Sequence, residues 1–142
     1  MIQEKQRVLF ICSHNAVRSQ MAEGLLRSLY GDQYKAFSAG ITPSHLHSLA
    51  VKTMEEIGID ISQQTSKSIE KFRDMTFDIV VTVCDTAREI CPFFPGKKVI
   101  HQSFDDPGVV QGSMEQQLQA FRTTRDQIKA WIEHTFGPST SG

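Results

Sequence analysis

The stretch from Val8 to Ser19, Val-Leu-Phe-Ile-Cys-Ser-His-Asn-Ala-Val-Arg-Ser, constrains this chain more than any other. An apolar run with strand character ends on Cys12, five residues pass, and Arg18-Ser19 opens a segment in which Met21, Ala22, Leu25, Leu26 and Leu29 recur at helical spacing. A strand therefore turns into a helix across a short C-x5-R-S loop. At such a turn backbone N–H groups converge, and the first N–H groups of the helix have no internal partner. A tetrahedral oxyanion fits there, helped by the positive end of the helix dipole. Arg18 adds a planar fork of donors that can hold two oxygens at once. The same field favours thiolate over thiol at Cys12. Cys12 is thus the candidate nucleophile, and Ser13, His14, Asn15, Ala16, Val17, Arg18 and Ser19 are the candidate oxyanion cradle. A purely structural reading makes Cys12 a buried strand-end cysteine and Arg18 a surface residue. The strand before the loop, Ser19 after it and the helix that follows favour the chemical one.

The chain has 142 residues, 39% hydrophobic and 22% charged. That suits one soluble globular domain over 1–142, large enough to bury about 68% of the surface its unfolded form exposes. The tail from 136 to 142, ending in Gly-Pro-Ser-Thr-Ser-Gly, is expected to fray. A net charge of -1 gives no basic footprint for nucleic acid. Charged Glu4, Lys5 and Arg7 lead straight into a strand, so no signal peptide is expected, and no apolar run approaches membrane-spanning length. The expected compartment is the cytoplasm. Three cysteines, Cys12, Cys84 and Cys91, are an odd number, which argues against a structural disulfide framework and leaves reactive thiols or a metal site.

Beyond the first helix, Ala36 to Ala39 is short and strand-like and is closed by Gly40. From about Ser44, the positions Leu46, Leu49, Ala50, Thr53, Met54 and Ile57 draw a second amphipathic helix ended by Gly58. Residues 66–72 allow a further short helix. Phe77 to Val83 reads as a strand buried on both faces and ends on Cys84. Val99-Ile100 reads as an edge strand, followed by the turn-rich Asp105-Asp106-Pro107-Gly108. Ser113 and Gln116 form a capping box for a helix of about 20 residues carrying Leu118, Phe121, Ile128, Trp131, Ile132 and Thr135. Alternating strands and helices imply an α/β fold with a small parallel sheet covered on both faces, in which ligands bind beyond the C-terminal strand ends. Cys12, Cys84 and the Asp-Asp-Pro loop all fall at such ends.

Residues 12–24, Ser38-Ala39-Gly40, residues 58–62, Asp78 to Cys84, Cys91-Pro92 and residues 104–107 together resemble the thioredoxin-coupled arsenate reductases, over about residues 6 to 134. The resemblance implies the low-molecular-weight tyrosine phosphatase fold, a three-layer sandwich with a four-stranded parallel sheet, and a monomer. It implies that Cys12 attacks arsenate, Arg18 clamps the oxyanion, Ser19 hydrogen-bonds the thiolate and Asn15 shapes the loop. Asp106 matches a general acid, although Asp-Pro-Gly is also good turn chemistry; Asp105 is expected to be solvated or structural. The resemblance further implies that Cys84 attacks Cys12 and expels arsenite, that Cys91 then attacks Cys84, and that thioredoxin reduces the resulting Cys84-Cys91 disulfide. Glutathione with glutaredoxin is the alternative donor. Helical geometry over 85–90 would hold the two Cα atoms roughly 10 Å apart, and a disulfide rarely tolerates more than about 7 Å, so the segment 84–96 is expected to be mobile.

Two departures stand out. Val17 replaces a further cysteine found in many relatives, and His14 replaces a glycine, as a residue of the pocket lip. Some relatives bind potassium through residues matching Asn15, Glu23, Ser38, Thr65 and an acid two positions on; that position is Lys67 here, so no metal is expected. No organic cofactor is implied. The nearest rival function is a low-molecular-weight protein tyrosine phosphatase, whose aromatic residue after the Asp-Pro is Gly108 here; weak phosphatase activity is expected as a side reaction. A metal-binding module is disfavoured, because Cys84 and Cys91 lack short ligand spacing. His45 and His47 are expected to be exposed at a helix start, and His101 and His134 carry no ligand pattern.

Overall fold

The computed structural model describes residues 5–84 and 94–138. Cys91 lies outside the described residues. Within them the order is β1 (Gln6–Cys12), α1 (Arg18–Tyr30), β2 (Tyr34–Gly40), α2 (Ser48–Glu55), a 3-10 turn (Ile69–Phe72), β3 (Ile79–Thr82), β4 (Lys98–His101), a second 3-10 turn (Pro107–Val109) and α3 (Met114–Phe136). The strands form one parallel sheet in the order β2-β1-β3-β4.

The two-residue alternation of a strand assigns its faces. On β1, Val8, Phe10 and Cys12 point into the larger core, which α1, α2 and α3 close with Met21, Leu25, Met54, Phe121 and Ile132. Leu9 and Ile11 point the other way, into a smaller cluster of Ala39, Ile69, Phe72, Phe77, Val80 and Phe94. That second face is aromatic: Phe77 packs edge-to-face on Phe37, Phe72 and Phe94, with ring centroids 5.5 to 5.9 Å apart. A sheet covered on both faces needs uninterrupted apolar strands, and β1 and β3 supply them. No helix among the described residues is long and apolar enough to cross a membrane.

Several boundaries differ from the sequence reading. The second helix starts at Ser48 rather than near Ser44, because backbone N–H groups at 42, 44 and 47 donate instead to the carbonyls of Ser13, His14 and Ala16. The 66–72 segment makes a single 3-10 turn. The tail does not fray from 136: Phe136 ends α3 and is buried against Phe10, Tyr34 and Trp131. Of the segment 84–96, residues 85–93 lie outside the described residues, and Cys84 and Phe94 on either side are both buried. The capping box forms as read: Ser113 Oγ accepts from Gln116 N–H, and Gln116 Oε1 accepts from Ser113 N–H.

Candidate active site

Cys12 ends β1 on the side of α1 and is a free, buried thiol. The loop after it is held from outside. Ser13, His14 and Ala16 turn their carbonyls toward 42–47, so the N–H groups of His14, Asn15 and Val17, opposite in the same planar peptide units, turn the other way. Asn15 takes a left-handed φ of 51°, which Asn tolerates better than most residues. Val17 at the start of α1 offers no side-chain cap, so the helix N-terminus stays open to an anion.

Gly40 lies beside Cys12 in the β1–β2 register, and a Cβ there would come within 2.8 Å of Ser13 O and 2.9 Å of Asn15 N. Only glycine lets β2 approach the loop this closely. Its N–H donates to Lys67 O at 2.8 Å, which ties the 65–68 segment to the same point.

Ser19 Oγ is 2.9 Å from Cys12 Sγ, and Asn15 Nδ2 donates to that oxygen at 2.7 Å. The hydroxyl proton is therefore left for the sulfur, the polarity that stabilises a thiolate. Arg18 is buried; it donates to Phe104 O at 3.2 Å and lies 3.7 Å from Asp106 Oδ2. Asp106 serves two partners, because its Oδ1 accepts from Gly108 N–H at 2.8 Å and caps the 107–109 turn. The turn-forming role thus occupies one oxygen and leaves the other facing Arg18. Asp105 is exposed, and its carbonyl accepts from Thr124 Oγ1. His14 is exposed, with Nδ1 3.1 Å from Thr42 O.

Cys84 follows β3, is fully buried among Val83, Phe104 and other apolar residues, and is disulfide-bonded. The structure thus joins Cys12, Ser19 and Asn15 by hydrogen bonds and sets Arg18, six residues on from Cys12, beside Asp106, with Cys84 at the end of the adjacent strand.

Lys67 occupies the place where an acid would complete a cation site. Its Nζ donates to Thr65 O and lies 3.7 Å from Glu23 Oε1, which accepts from Ser38 Oγ at 2.5 Å. Burial pushes the Lys67 ammonium below its usual range, and Glu23 opposes that shift. An ammonium already among these oxygens does not fit a monovalent cation in the same place.

Sequence reasoning passed over Gln20 and Gln64. Gln20 is a fully buried polar residue on α1, a signal visible as an amide directly after Ser19 and beside the apolar stripe. His47 is half-buried rather than exposed, caps α2 by accepting from Leu49 N–H at Nδ1, and lies 4.9 Å from the Phe121 ring. Burial lowers its pKa, with His45 adding to the shift and Asp106 opposing it.

The family model for low molecular weight phosphotyrosine protein phosphatase matches residues 7–136. The chain is 43% identical over 125 residues to an arsenate reductase of Halalkalibacterium halodurans, covering 87% of this chain and 90% of that one. It superposes with a TM-score of 0.76 on a solved arsenate reductase in its phosphate-binding state, at 35% identity, covering 91% of this chain and 95% of that one. A thioredoxin-dependent arsenate reductase of Corynebacterium glutamicum matches with a TM-score of 0.61 at 25% identity, covering 95% of this chain and 65% of that one.

Proposed function

The chain belongs to the low molecular weight phosphotyrosine protein phosphatase family, and we propose that it is an enzyme of the arsenate reductase branch, regenerated by thioredoxin through a relay of three thiols. The observation that carries the relay is the pair of cysteine states: Cys12 is free beneath the oxyanion loop, while Cys84 is disulfide-bonded.

Arsenate enters the cradle of loop N–H groups and Arg18. Cys12 thiolate, supported by the Ser19 hydroxyl, attacks arsenic and forms an S–As bond, and Asp106 protonates the departing oxygen so that it leaves as water. Cys84 thiolate then attacks Cys12 Sγ. The S–As bond breaks with its electron pair going to arsenic, so As(V) leaves as As(III) and a Cys12–Cys84 disulfide remains. Cys91 thiolate attacks Cys84 Sγ, which frees Cys12 and leaves a Cys84–Cys91 disulfide for a dithiol donor to reduce by two electrons. No group of His, Cys, Asp and Glu that could hold a metal occurs among the described residues.

The loop alone serves phosphate as well as arsenate, so slow phosphatase activity accompanies this reading; Gly108, where an aromatic residue would stack on tyrosine, keeps it secondary. The deciding experiment is steady-state arsenate reduction with thioredoxin or with glutaredoxin and glutathione. Cys12→Ser is expected to lower activity at least about a thousandfold. Cys84→Ser and Cys91→Ser are expected to abolish multiple turnover while sparing aryl phosphate hydrolysis. Full thioredoxin-dependent turnover by Cys91→Ser would end the relay. Potassium added at constant ionic strength is expected to leave the rate unchanged, with Lys67 standing in the cation's place; a severalfold rise would contradict that assignment.

A further inference from the structure

Behind Ser19 a line of buried and half-buried amides runs to the protein surface. Arg27 Nη2 donates to Gln64 Oε1 at 2.7 Å. Gln64 Nε2 donates to Gln20 Oε1 at 2.7 Å and to Gln20 O at 3.1 Å. Gln20 Nε2 donates to Asn15 Oδ1 at 3.0 Å, Asn15 O at 2.9 Å and Thr65 O at 2.8 Å. Asn15 Nδ2 donates to Ser19 Oγ at 2.7 Å, and Ser19 Oγ meets Cys12 Sγ at 2.9 Å.

Each amide has one permitted orientation. A guanidinium only donates, so Gln64 turns its oxygen to Arg27. Two backbone carbonyls, Asn15 O and Thr65 O, only accept, so Gln20 turns its nitrogen to them. Lys67 N–H only donates, and it meets Asn15 Oδ1 at 2.8 Å, so Asn15 turns its nitrogen to Ser19. Reversing any amide would set donor against donor or acceptor against acceptor at buried or half-buried positions, which is costly. All side-chain bonds in the line therefore run the same way, and hydrogen bonds aligned head to tail polarise one another.

We infer that Gln20 and Gln64 are positioning residues for the nucleophile: with Asn15 and Ser19 they form a one-directional chain that carries donor character from the Arg27 guanidinium to Cys12 Sγ. The chain fixes which way the Ser19 hydroxyl points and holds the left-handed Asn15 from both its main-chain and its side-chain oxygen. The inference rests on the reading of Cys12 as the nucleophile and deepens it. It does not depend on which oxyanion is the substrate or which dithiol is the donor.

The test is the pH dependence of iodoacetamide alkylation at Cys12, located by peptide mass spectrometry in the full chain, for the parent protein, Gln20→Glu and Gln64→Ala. Arg18 on α1, Asp106 before the 107–109 turn, His14 on the loop, His47 at the α2 cap, and Glu23 and Lys67 behind the loop are common to all three. Gln20→Glu keeps the shape but sets a carboxylate oxygen against three acceptors. It is expected to slow alkylation at neutral pH about tenfold and to move the midpoint up by about one unit. Gln64→Ala, at a half-buried position, cuts the link to Arg27 and is expected to slow alkylation roughly two- to threefold. A folded Gln20→Glu protein with the parent profile would overturn the inference. So would a Gln64→Ala protein whose melting temperature falls while its alkylation profile stays put, since the contact would then be structural only. Should Gln20→Glu fail to fold, Gln64→Ala decides. Alkylation needs no arsenate, so its outcome is separable from that of the reductase reading.

Discussion

Cys12 and Cys84 stand at or just beyond the C-terminal ends of adjacent strands, yet their surroundings are opposite in kind. Around Cys12 the structure is set by direction: an uncapped helix start, the Ser19 hydroxyl aimed by Asn15, and loop carbonyls turned outward by 42–47. Around Cys84 it is set by packing, with Val83 and Phe104 in the larger core, while the other face of the sheet carries a separate aromatic cluster of Phe77 and Phe94. A strand end in a parallel sheet supplies a place for chemistry; the neighbours decide which chemistry a sulfur there can perform.

Substitutions should separate the two regions. Among substitutions that spare the reacting side chains, the largest effect is expected from Gly40→Ala, since its Cβ would lie 2.8 to 2.9 Å from backbone atoms of the loop. Shifting the loop by even part of an ångström is expected to cost about a hundredfold in kcat/KM. A stability loss of about 1 to 3 kcal/mol in denaturant unfolding should accompany it. Phe94→Ala tests the packed side: it removes a buried ring 5.8 Å from Phe77 and beneath the Arg73 guanidinium. Unfolding is expected to become easier by about 3 kcal/mol, with alkylation at Cys12 unaffected. Loss of Cys12 reactivity in that variant would show that the two regions are not independent.

The smallest effect concerns His47, whose backbone N–H donates to Ala16 O of the loop. Its neutral Nδ1 caps α2, and burial holds its pKa below 6.5. The cap is fully present above the unfolded pKa of about 6.5. Its contribution is lost as pH falls through the lowered folded value, because the unfolded chain then binds more protons. Urea unfolding between neutral pH and about pH 5 should therefore show a pH slope that shrinks in His47→Asn, an Asn that still caps. An unchanged slope would remove His47 from the account.

The strands of the sheet, α1, α3 and its capping box were legible in the sequence because each rests on local pattern: short apolar runs, helical spacing, or a capping pair three residues apart. The proposed nucleophile and Arg18 were legible for the same reason, being fixed by spacing along one strand, loop and helix. What escaped was everything whose cause lies far along the chain. Residues 44–47 have helical spacing, but the loop carbonyls across from them take their N–H groups, so α2 begins later. Phe136 sits in a polar tail by composition and is buried because Phe10, Tyr34 and Trp131 await it. Gly40 reads as a strand terminator, and its true constraint is the approach of the Cys12 loop.

By itself, then, the sequence determined a strand-loop-helix cradle with a sulfur at its base and an arginine above it, since backbone geometry and the helix dipole act over a few residues. Only the tertiary structure decided the direction of the hydrogen bonds reaching that sulfur. Their polarity is imposed by Lys67, Thr65, Gln64 and Arg27, groups brought together by the fold, and no local pattern records which way an amide must face.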